Sequence, residues 1–378
     1  MSDSRDEQQR TGRIRVAVVF GGRSTEHAIS CSTAGGVIQA LDPDRYEIVP
    51  VGITHDGRWV LTSGEPERLA IEGGKLPEVD PTGAELALLS DAGARGLVVV
   101  EPGELPRELG AVDVVLPLLH GPYGEDGTIQ GMFEMSDVRY VGSGVLASAA
   151  GMDKHYTKVI LQGHGIPVSP YVVVRDRDWR LDRARVIEAV SGLGYPVFVK
   201  PARAGSSVGI TKVSEVGDLV DAVEAARAHD PKVLIEGTLH GREIECGVLQ
   251  GLGDDPPEAS TPGEIVVGGT HQFYDFEAKY LDEENVDLRI PADLPADVVE
   301  RVRGTAAKAY EALSCEGLAR VDFFYTTDGQ VVVNEVNTMP GFTPFSMFPR
   351  LWAADGLDYP ALVDRLIRTA LERPTGLR

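Results

Sequence analysis

The sequence predicts an α/β protein that turns to α+β in its later parts, and three observations carry that expectation. A mostly apolar run at 14–20 stops at Gly21-Gly22, and a helical stretch follows from about His27 to Leu41. Strand, glycine turn and helix in that order open a parallel, Rossmann-like layer. Beyond about residue 143, short strands and amphipathic helices alternate without one long parallel pattern. The chain has 378 residues, and about 150 residues per domain gives two or three domains.

Each element follows from its pattern. Residues 46–53 read as the second strand, with Asp56-Gly57 as a hairpin turn after it. Residues 63–110, rich in Gly, Pro and Glu, read as loops and short edge elements. A buried strand at 112–119 ends in His120-Gly121. The chain leaves this first domain near 140–143. Residues 145–163 are helical in pattern. Strands are expected at 168–174, 197–200 and 233–236, with helices at about 182–190 and 215–228. Strands at 243–249 and 264–267 come next. The helix at 296–313 spaces Val298, Val302, Ala306 and Ala309 along one face. Strands at 319–325 and 331–336 flank the turn Asp328-Gly329, and a helix at 359–371 closes the chain. The expected domains are 14–142, 143–236 and 237–375.

Composition narrows the function. Lys and Arg number 36 and Asp and Glu 58, a net charge of −22. Nucleic acid and anionic membranes need a basic face, so neither is expected as partner. Cys31, Cys246 and Cys315 lie far apart with no metal-ligand spacing and read as buried thiols of a reducing compartment. The polar start lacks an apolar signal core, and the expected location is the cytoplasm.

The chemistry concentrates in a few motifs. Asp322 lies six residues before Asp328, and Glu335 six after Gly329, so antiparallel pairing brings them nearly opposite each other. Alternation puts Glu335 and Asn337 on one face. Two carboxylates and an amide oxygen form a hard oxygen site suited to Mg²⁺. The alternative is a solvated strand face, which Val331, Val332, Val333 and Val336 oppose. Arg320 shares the side of Asp322 and suits an oxyanion or a phosphoryl group, or a plain salt bridge. Lys200 ends an apolar strand before a loop containing Gly205, Ser206, Ser207 and Gly209, a pattern that suits phosphate. Glu236 and Glu243 could read adenine and ribose. Glu26 stands at a helix start, as a ligand or merely as a cap. His120 and Glu125 lie on a polar loop after a buried strand, where α/β proteins place ligands. The aromatic stretch 271–280 reads as a surface cluster or a water-excluding lid.

Taken together, these motifs resemble the D-alanine–D-alanine ligases of the ATP-grasp superfamily. The pieces that carry the resemblance are Gly-Gly-Arg-Ser-x-Glu-His, His-Gly-x-x-Gly-Glu-Asp-Gly, Met-Asp-Lys, Lys-Pro-x-x-x-Gly-Ser-Ser-x-Gly, Glu-Ala-Lys-Tyr and Asn-Glu-Val-Asn-Thr-x-Pro-Gly-Phe-Thr. They run in order over nearly the whole chain. The resemblance implies a three-domain ATP-grasp fold and joining of two D-alanine molecules with ATP. It implies that Lys154, Lys200, Ser206, Ser207, Tyr274 and Lys279 serve ATP phosphates and their surroundings. Glu236, Leu239 and Glu243 match the adenine and ribose contacts. Asp322, Glu335 and Asn337 match ligands of two Mg²⁺ ions, with Mn²⁺ as a substitute. Glu26 matches the acid for the first D-alanine ammonium, supported by Ser206 and Tyr280. Arg320 and Gly341 match oxyanion stabilisers. His120, Glu125, Ser346 and Met347 match the substrate surroundings. A homodimer is implied as well, and Tyr280 favours D-alanine over D-lactate or D-serine as second substrate; another ATP-grasp carboxylate–amine ligase is the alternative.

Overall fold

A computed structural model describes residues 12–71, 75–89, 96–100, 103–205, 208–267 and 286–375. By backbone contacts the chain separates into two units. One holds the residues up to Gly124, Thr128–Gly142 and those from Leu357 on; the other holds Glu125–Gly127 and Ser143–Gly356.

The first unit begins with β1 (Ile14–Gly21), α1 (His27–Ala40), β2 (Tyr46–Ile53), β3 (Trp59–Leu61), β4 (Glu85–Leu88), β5 (Gly96–Val100), β6 (Arg107–Ala111), β7 (Val114–Pro117) and α2 (Thr128–Met135). Its sheet runs β6-β5-β4-β3-β2-β1-β7. Only β2, β1 and β7 are parallel; the remaining pairs are antiparallel. The expected parallel layer is therefore half of a mixed sheet. The link from β2 to β3 is too short for a crossover helix, so it must be a hairpin. β4, β5 and β6 are built from the stretch expected as loops and edge pieces. Val16–Phe20 of β1 is buried throughout, as expected of a strand covered on both faces.

The second unit contains α3 (Val145–Met152), α4 (Lys154–Gly163), β8 (Tyr171–Arg175), α5 (Asp176–Leu181), α6 (Arg183–Ser191), β9 (Val197–Pro201), β10 (Thr211–Val213), α7 (Leu219–Arg227) and β11 (Lys232–Gly237). The helical pattern expected at 145–163 is realised as two helices. Asp153 takes an extended conformation between them and accepts hydrogen bonds from His155 N and Tyr156 N, an N-cap that starts a new helix. β10-β9-β11-β8 form an antiparallel sheet, packed by Trp179, Val190, Leu219 and Val223.

Next come β12 (Gly241–Leu249), β13 (Glu258–Ala259), β14 (Gly263–Val267), β15 (Val286–Arg289), α8 (Ala296–Ala312), β16 (Leu318–Thr326), β17 (Val331–Asn337) and α9 (Met347–Ala354). The sheet order is β15-β14-β12-β16-β17, with β13 on β12. α8 buries Val298, Val302, Ala306 and Ala309, the face its spacing predicts. The last helix, α10 (Tyr359–Glu372), belongs to the first unit. Its Asp364 accepts a 2.6 Å hydrogen bond from Tyr46 Oη, and Arg373 Nη1 donates to Gly142 O at 3.0 Å. A helix pattern states which face is apolar but not which partner covers it. All three cysteines are buried, and burial pushes each thiol up to about 12.

Candidate active site

The hairpin of β16 and β17 reaches the expected pairing by an unexpected route. Near the tip, Tyr325 pairs with Val331 and Phe323 with Val333, one residue out of step with a two-residue Asp328-Gly329 turn. The loop is three residues long, closed by Thr326 N to Gln330 O at 2.9 Å, and Gly329 has φ +82°. A bulge then inserts Asn334, and beyond it Asp322 faces Glu335 and Arg320 faces Asn337.

β12 extends this pairing across a third strand. Glu245 faces Asp322, and Gly247 faces Arg320. Partners directly opposite share a face, so Glu245, Asp322 and Glu335 form one row and Gly247, Arg320 and Asn337 the next. Arg320 grips Asp322 with two hydrogen bonds, Nε to Oδ1 at 2.7 Å and Nη2 to Oδ2 at 2.8 Å. The same Nε lies 3.0 Å from Glu245 Oε2. Asn337 Nδ2 donates to Asp322 Oδ2 at 2.9 Å, which turns its amide oxygen away from that carboxylate. Burial opposes the charge on Arg320, but Asp322 and Glu245 outweigh it and hold the guanidinium well above its ordinary range. Glu335 is the most exposed acid of the row, with Lys154 Nζ 4.0 Å from its Oε2.

Three acids around one guanidinium leave an excess of negative charge that a divalent cation would balance. Among the described residues, no three His, Cys, Asp or Glu side chains close into a protein-only metal cage. The oxygen donors of Asp322, Glu335 and Asn337 are of the kind magnesium takes, one or two carboxylates with the rest of its shell filled by phosphate oxygens and water.

Helix α4 and the second sheet supply cations. Lys154 begins α4, where its N–H donates to Ala202 O at 3.0 Å and its Nζ to Ala204 O at 2.7 Å. It is thereby tied to the root of the glycine-serine loop. Arg203 holds the same root, donating from Nε at 2.9 Å and Nη2 at 2.7 Å to the buried Asp230. Lys200 pairs with Glu236, so in this state it turns to that carboxylate. Burial works against ionised Glu236, yet Lys200 and Lys158 overcome it and hold the carboxyl well below the usual range. Leu239 and Glu243 follow, both half-buried, with Glu243 on β12 opposite Phe324.

After β17 the chain turns through Gly341. Ser346 Oγ accepts from Thr343 N at 3.1 Å and lies 2.7 Å from Thr343 Oγ1. A Cβ on Gly341 would stand 3.3 Å from that hydroxyl, so glycine gives room to the turn. Met347 is buried and packs with Ile265 and Leu351. Glu125 Oε1 accepts from Met339 N at 3.3 Å.

In the first unit, Gly21 and Gly22 have φ +87° and +97°. A Cβ on Gly21 would sit 2.4 Å from Ile53 O, so only glycine fits. Ser30 Oγ accepts from Gly21 N at 2.8 Å and donates to Leu118 O at 2.6 Å, lacing β1 to the end of β7. Ser24 Oγ donates to His120 O at 2.7 Å. Glu26 is buried and stands at the N-cap position of α1 without a side-chain cap hydrogen bond. A Cβ on Gly121 would stand 2.6 Å from Glu26 Oε2, so the carboxylate lies against the His120-Gly121 turn. A cavity of about 200 Å³, lined in part by Gly22, Ser24, Trp59 and His120, opens beside it.

Ser206, Ser207, Tyr274, Lys279 and Tyr280 lie outside the described residues. Glu245, Lys158 and Ser169 were not read from the sequence. Alternation placed Glu245 on the face of Glu243, and that was its one available signal. Lys158, on a helix, carries the pattern of an ordinary surface lysine.

The acid face of β12, β16 and β17, with Lys154 of α4 beside Glu335 and Lys200 of β9 on Glu236, has the charge pattern that phosphate chemistry uses, and known proteins sharpen this. Two family models match, "D-ala D-ala ligase N-terminus" over residues 15–143 and "D-ala D-ala ligase C-terminus" over 160–368. The D-alanine–D-alanine ligase of Kineococcus radiotolerans is 61% identical over 371 residues, 96% of this chain and 98% of that one. That of Arthrobacter sp. is 57% identical over 365 residues, 96% of each. Among solved structures, the VanG D-Ala:D-Ser ligase from Enterococcus faecalis has a TM-score of 0.81 at 34% identity, covering 95% of this chain and 99% of its own. The D-alanine–D-alanine ligase from Coxiella burnetii has 0.78 at 33%, covering 96% and 95%. The chain belongs to the D-alanine–D-alanine ligase family and has the ATP-grasp fold of its structural neighbours.

Proposed function

We propose that the protein joins two D-alanine molecules, using ATP and releasing ADP and phosphate, to supply a peptidoglycan precursor. The observation that carries this reading is the double row Glu245–Asp322–Glu335 and Gly247–Arg320–Asn337 across three strands. It concentrates acids and one guanidinium where a phosphoryl group in transfer needs both cation ligands and a fixed positive charge.

Glu26 anchors the ammonium of the first D-alanine beside His120, and the carboxylate of that D-alanine attacks the γ-phosphorus of ATP as ADP leaves. Lys154 and Lys200 neutralise phosphate charge, while Glu236, Leu239 and Glu243 hold adenine and ribose. Asp322, Glu335 and Asn337 would hold magnesium, two ions by resemblance, which supplies charge neutralisation at the phosphate oxygens. The neutral amine of the second D-alanine, near Ser346 and Met347 with Glu125 bracing the approach, then adds to the acyl carbon. Arg320 and the backbone at Gly341 stabilise the oxyanion, and phosphate departs. The reading includes work in the cytoplasm as a homodimer. Among the described residues no helix is long and apolar enough to cross a membrane.

The D-Ala:D-Ser neighbour makes D-serine the rival second substrate. The test offers D-alanine, L-alanine, D-serine and D-lactate separately and in pairs with D-alanine, and measures phosphate and product. D-alanine alone should release phosphate and yield the dipeptide. Release with L-alanine but not D-alanine overturns the reading; preferential D-Ala-D-Ser overturns its second-substrate part.

A further inference from the structure

Behind the expected adenine contact lies a buried ammonium that the reaction itself does not use. Lys158, one turn after Lys154 on α4, is 1% exposed. Its Nζ lies 2.5 Å from Glu236 Oε1 and donates to Ser169 Oγ at 2.9 Å. Ser169 Oγ donates in turn to Glu236 Oε1 at 3.0 Å. Ser169 and Glu236 are both buried as well. On the other carboxylate oxygen, Oε2, sits Lys200.

Two features make this more than a structural ion pair. Lys200 alone would neutralise Glu236, and a second buried ammonium costs desolvation that no fold requires. Lys200 also has a second duty, at the phosphates. When it turns to them, Glu236 would be left buried and uncompensated unless another cation stays behind. The acceptor count points the same way. A carboxylate oxygen has two lone pairs. Lys158 and Ser169 occupy Oε1, whereas Lys200 is the described donor on Oε2, so Oε2 is the oxygen with room for a further N–H.

We propose that Lys158, with Ser169, is a positioning residue that holds Glu236 ionised and oriented, with Oε2 presented to the amino group of adenine, and so sets the choice of adenine over 6-oxo purines. This rests on the reading that Glu236 contacts adenine. Inosine carries a carbonyl where adenine has the amino group, so it turns the recognising hydrogen bond into a repulsion between two acceptors.

The experiment compares kcat/KM for ATP and ITP in the wild type, Lys158→Met, Lys158→Arg, Ser169→Ala and Glu236→Gln. The wild type should favour ATP by roughly tenfold to a hundredfold, the range for a hydrogen bond to a charged group. Lys158→Met should raise KM for ATP about tenfold, spare ITP and pull the ratio towards one. Lys158→Arg should restore most of the preference, and Ser169→Ala should lose about threefold of it. A purely structural lysine would lower Tm and weaken both nucleotides alike. Should Lys158→Met fail to fold, Ser169→Ala decides, and a wild-type ratio there overturns the proposal. In Glu236→Gln the lysines attract the amide oxygen and turn the NH₂ towards the base, so the ratio should fall or invert. A wild-type ratio in Glu236→Gln overturns the adenine reading itself; a collapsed ratio there with wild-type ratios in Lys158→Met and Ser169→Ala overturns only the role of Lys158.

Discussion

Glu26 in the first unit and Asp322 in the second are both buried acids, but their surroundings are made of different material. Glu26 lies against the Gly121 turn, with its backbone N–H donating to Ser24 Oγ, which in turn donates to His120 O. Asp322 is clamped by a guanidinium and an amide, with a second acid on the same guanidinium. Backbone geometry shapes a space and so selects a substrate by its outline. Ion pairs set a field and so favour a charge distribution, whatever molecule carries it. The first unit should therefore govern which amino acid is taken as the first substrate, and the second what is done to it.

Substitutions can break that division. The largest effect is expected from Arg320→Met. It leaves Glu245 and Asp322 buried without their cation, so turnover should vanish and unfolding in urea should show a loss of about 3–5 kcal/mol. Glu335→Gln should separate chemistry from folding. Its side chain is 30% exposed, so Tm should hold while kcat falls about 10²–10³-fold; retained turnover would refute a role in phosphoryl transfer. Glu26→Gln should raise KM for D-alanine by roughly tenfold to a hundredfold, the worth of a charged hydrogen bond, with KM for ATP unmoved. A matching change in KM for ATP would dissolve the division between the units.

The smallest effect concerns pH. His27 stacks on His55 with ring centroids 3.9 Å apart. Its Nε2 accepts from Val79 N at 3.1 Å, which leaves Nδ1 to donate to Gly22 O at 2.7 Å. This pairing requires the neutral ring. Burial lowers its pKa from the ordinary 6.5, more than the Gly22 carbonyl raises it. The unfolded chain then takes up the proton first. Stability from His27 should be complete above 6.5 and fall as pH drops from 6.5 through the folded pKa, by at most about 1.4 kcal/mol per pH unit. His27→Gln should flatten that slope in urea titrations, and an unchanged slope would assign it to other groups.

Much of the fold was legible because β1, β11, β16 and β17 are apolar runs bounded by turn residues. The Asp322–Glu335 pairing was legible partly by compensation. The turn is one residue longer than Asp328-Gly329 suggests, and the bulge at Asn334 restores the step. Neither leaves a mark in an alternation count. Glu245 and Lys158 were hidden for another reason: what makes each of them part of the site is a partner on a distant segment, and charge alone does not reveal burial. The docking of α10 on the first unit was hidden likewise, since an amphipathic face does not name its cover.

The central claim is that this sheet face transfers a phosphoryl group to a carboxylate. The direct measurement uses D-alanine labelled with ¹⁸O in its carboxylate, with ATP and the intact protein, and follows the label by mass spectrometry. Attack of that carboxylate on the γ-phosphorus, then expulsion of phosphate from the acyl carbon, must carry one labelled oxygen into each phosphate released. The predicted result is one ¹⁸O in inorganic phosphate per dipeptide formed. Dipeptide accompanied by unlabelled phosphate would contradict it.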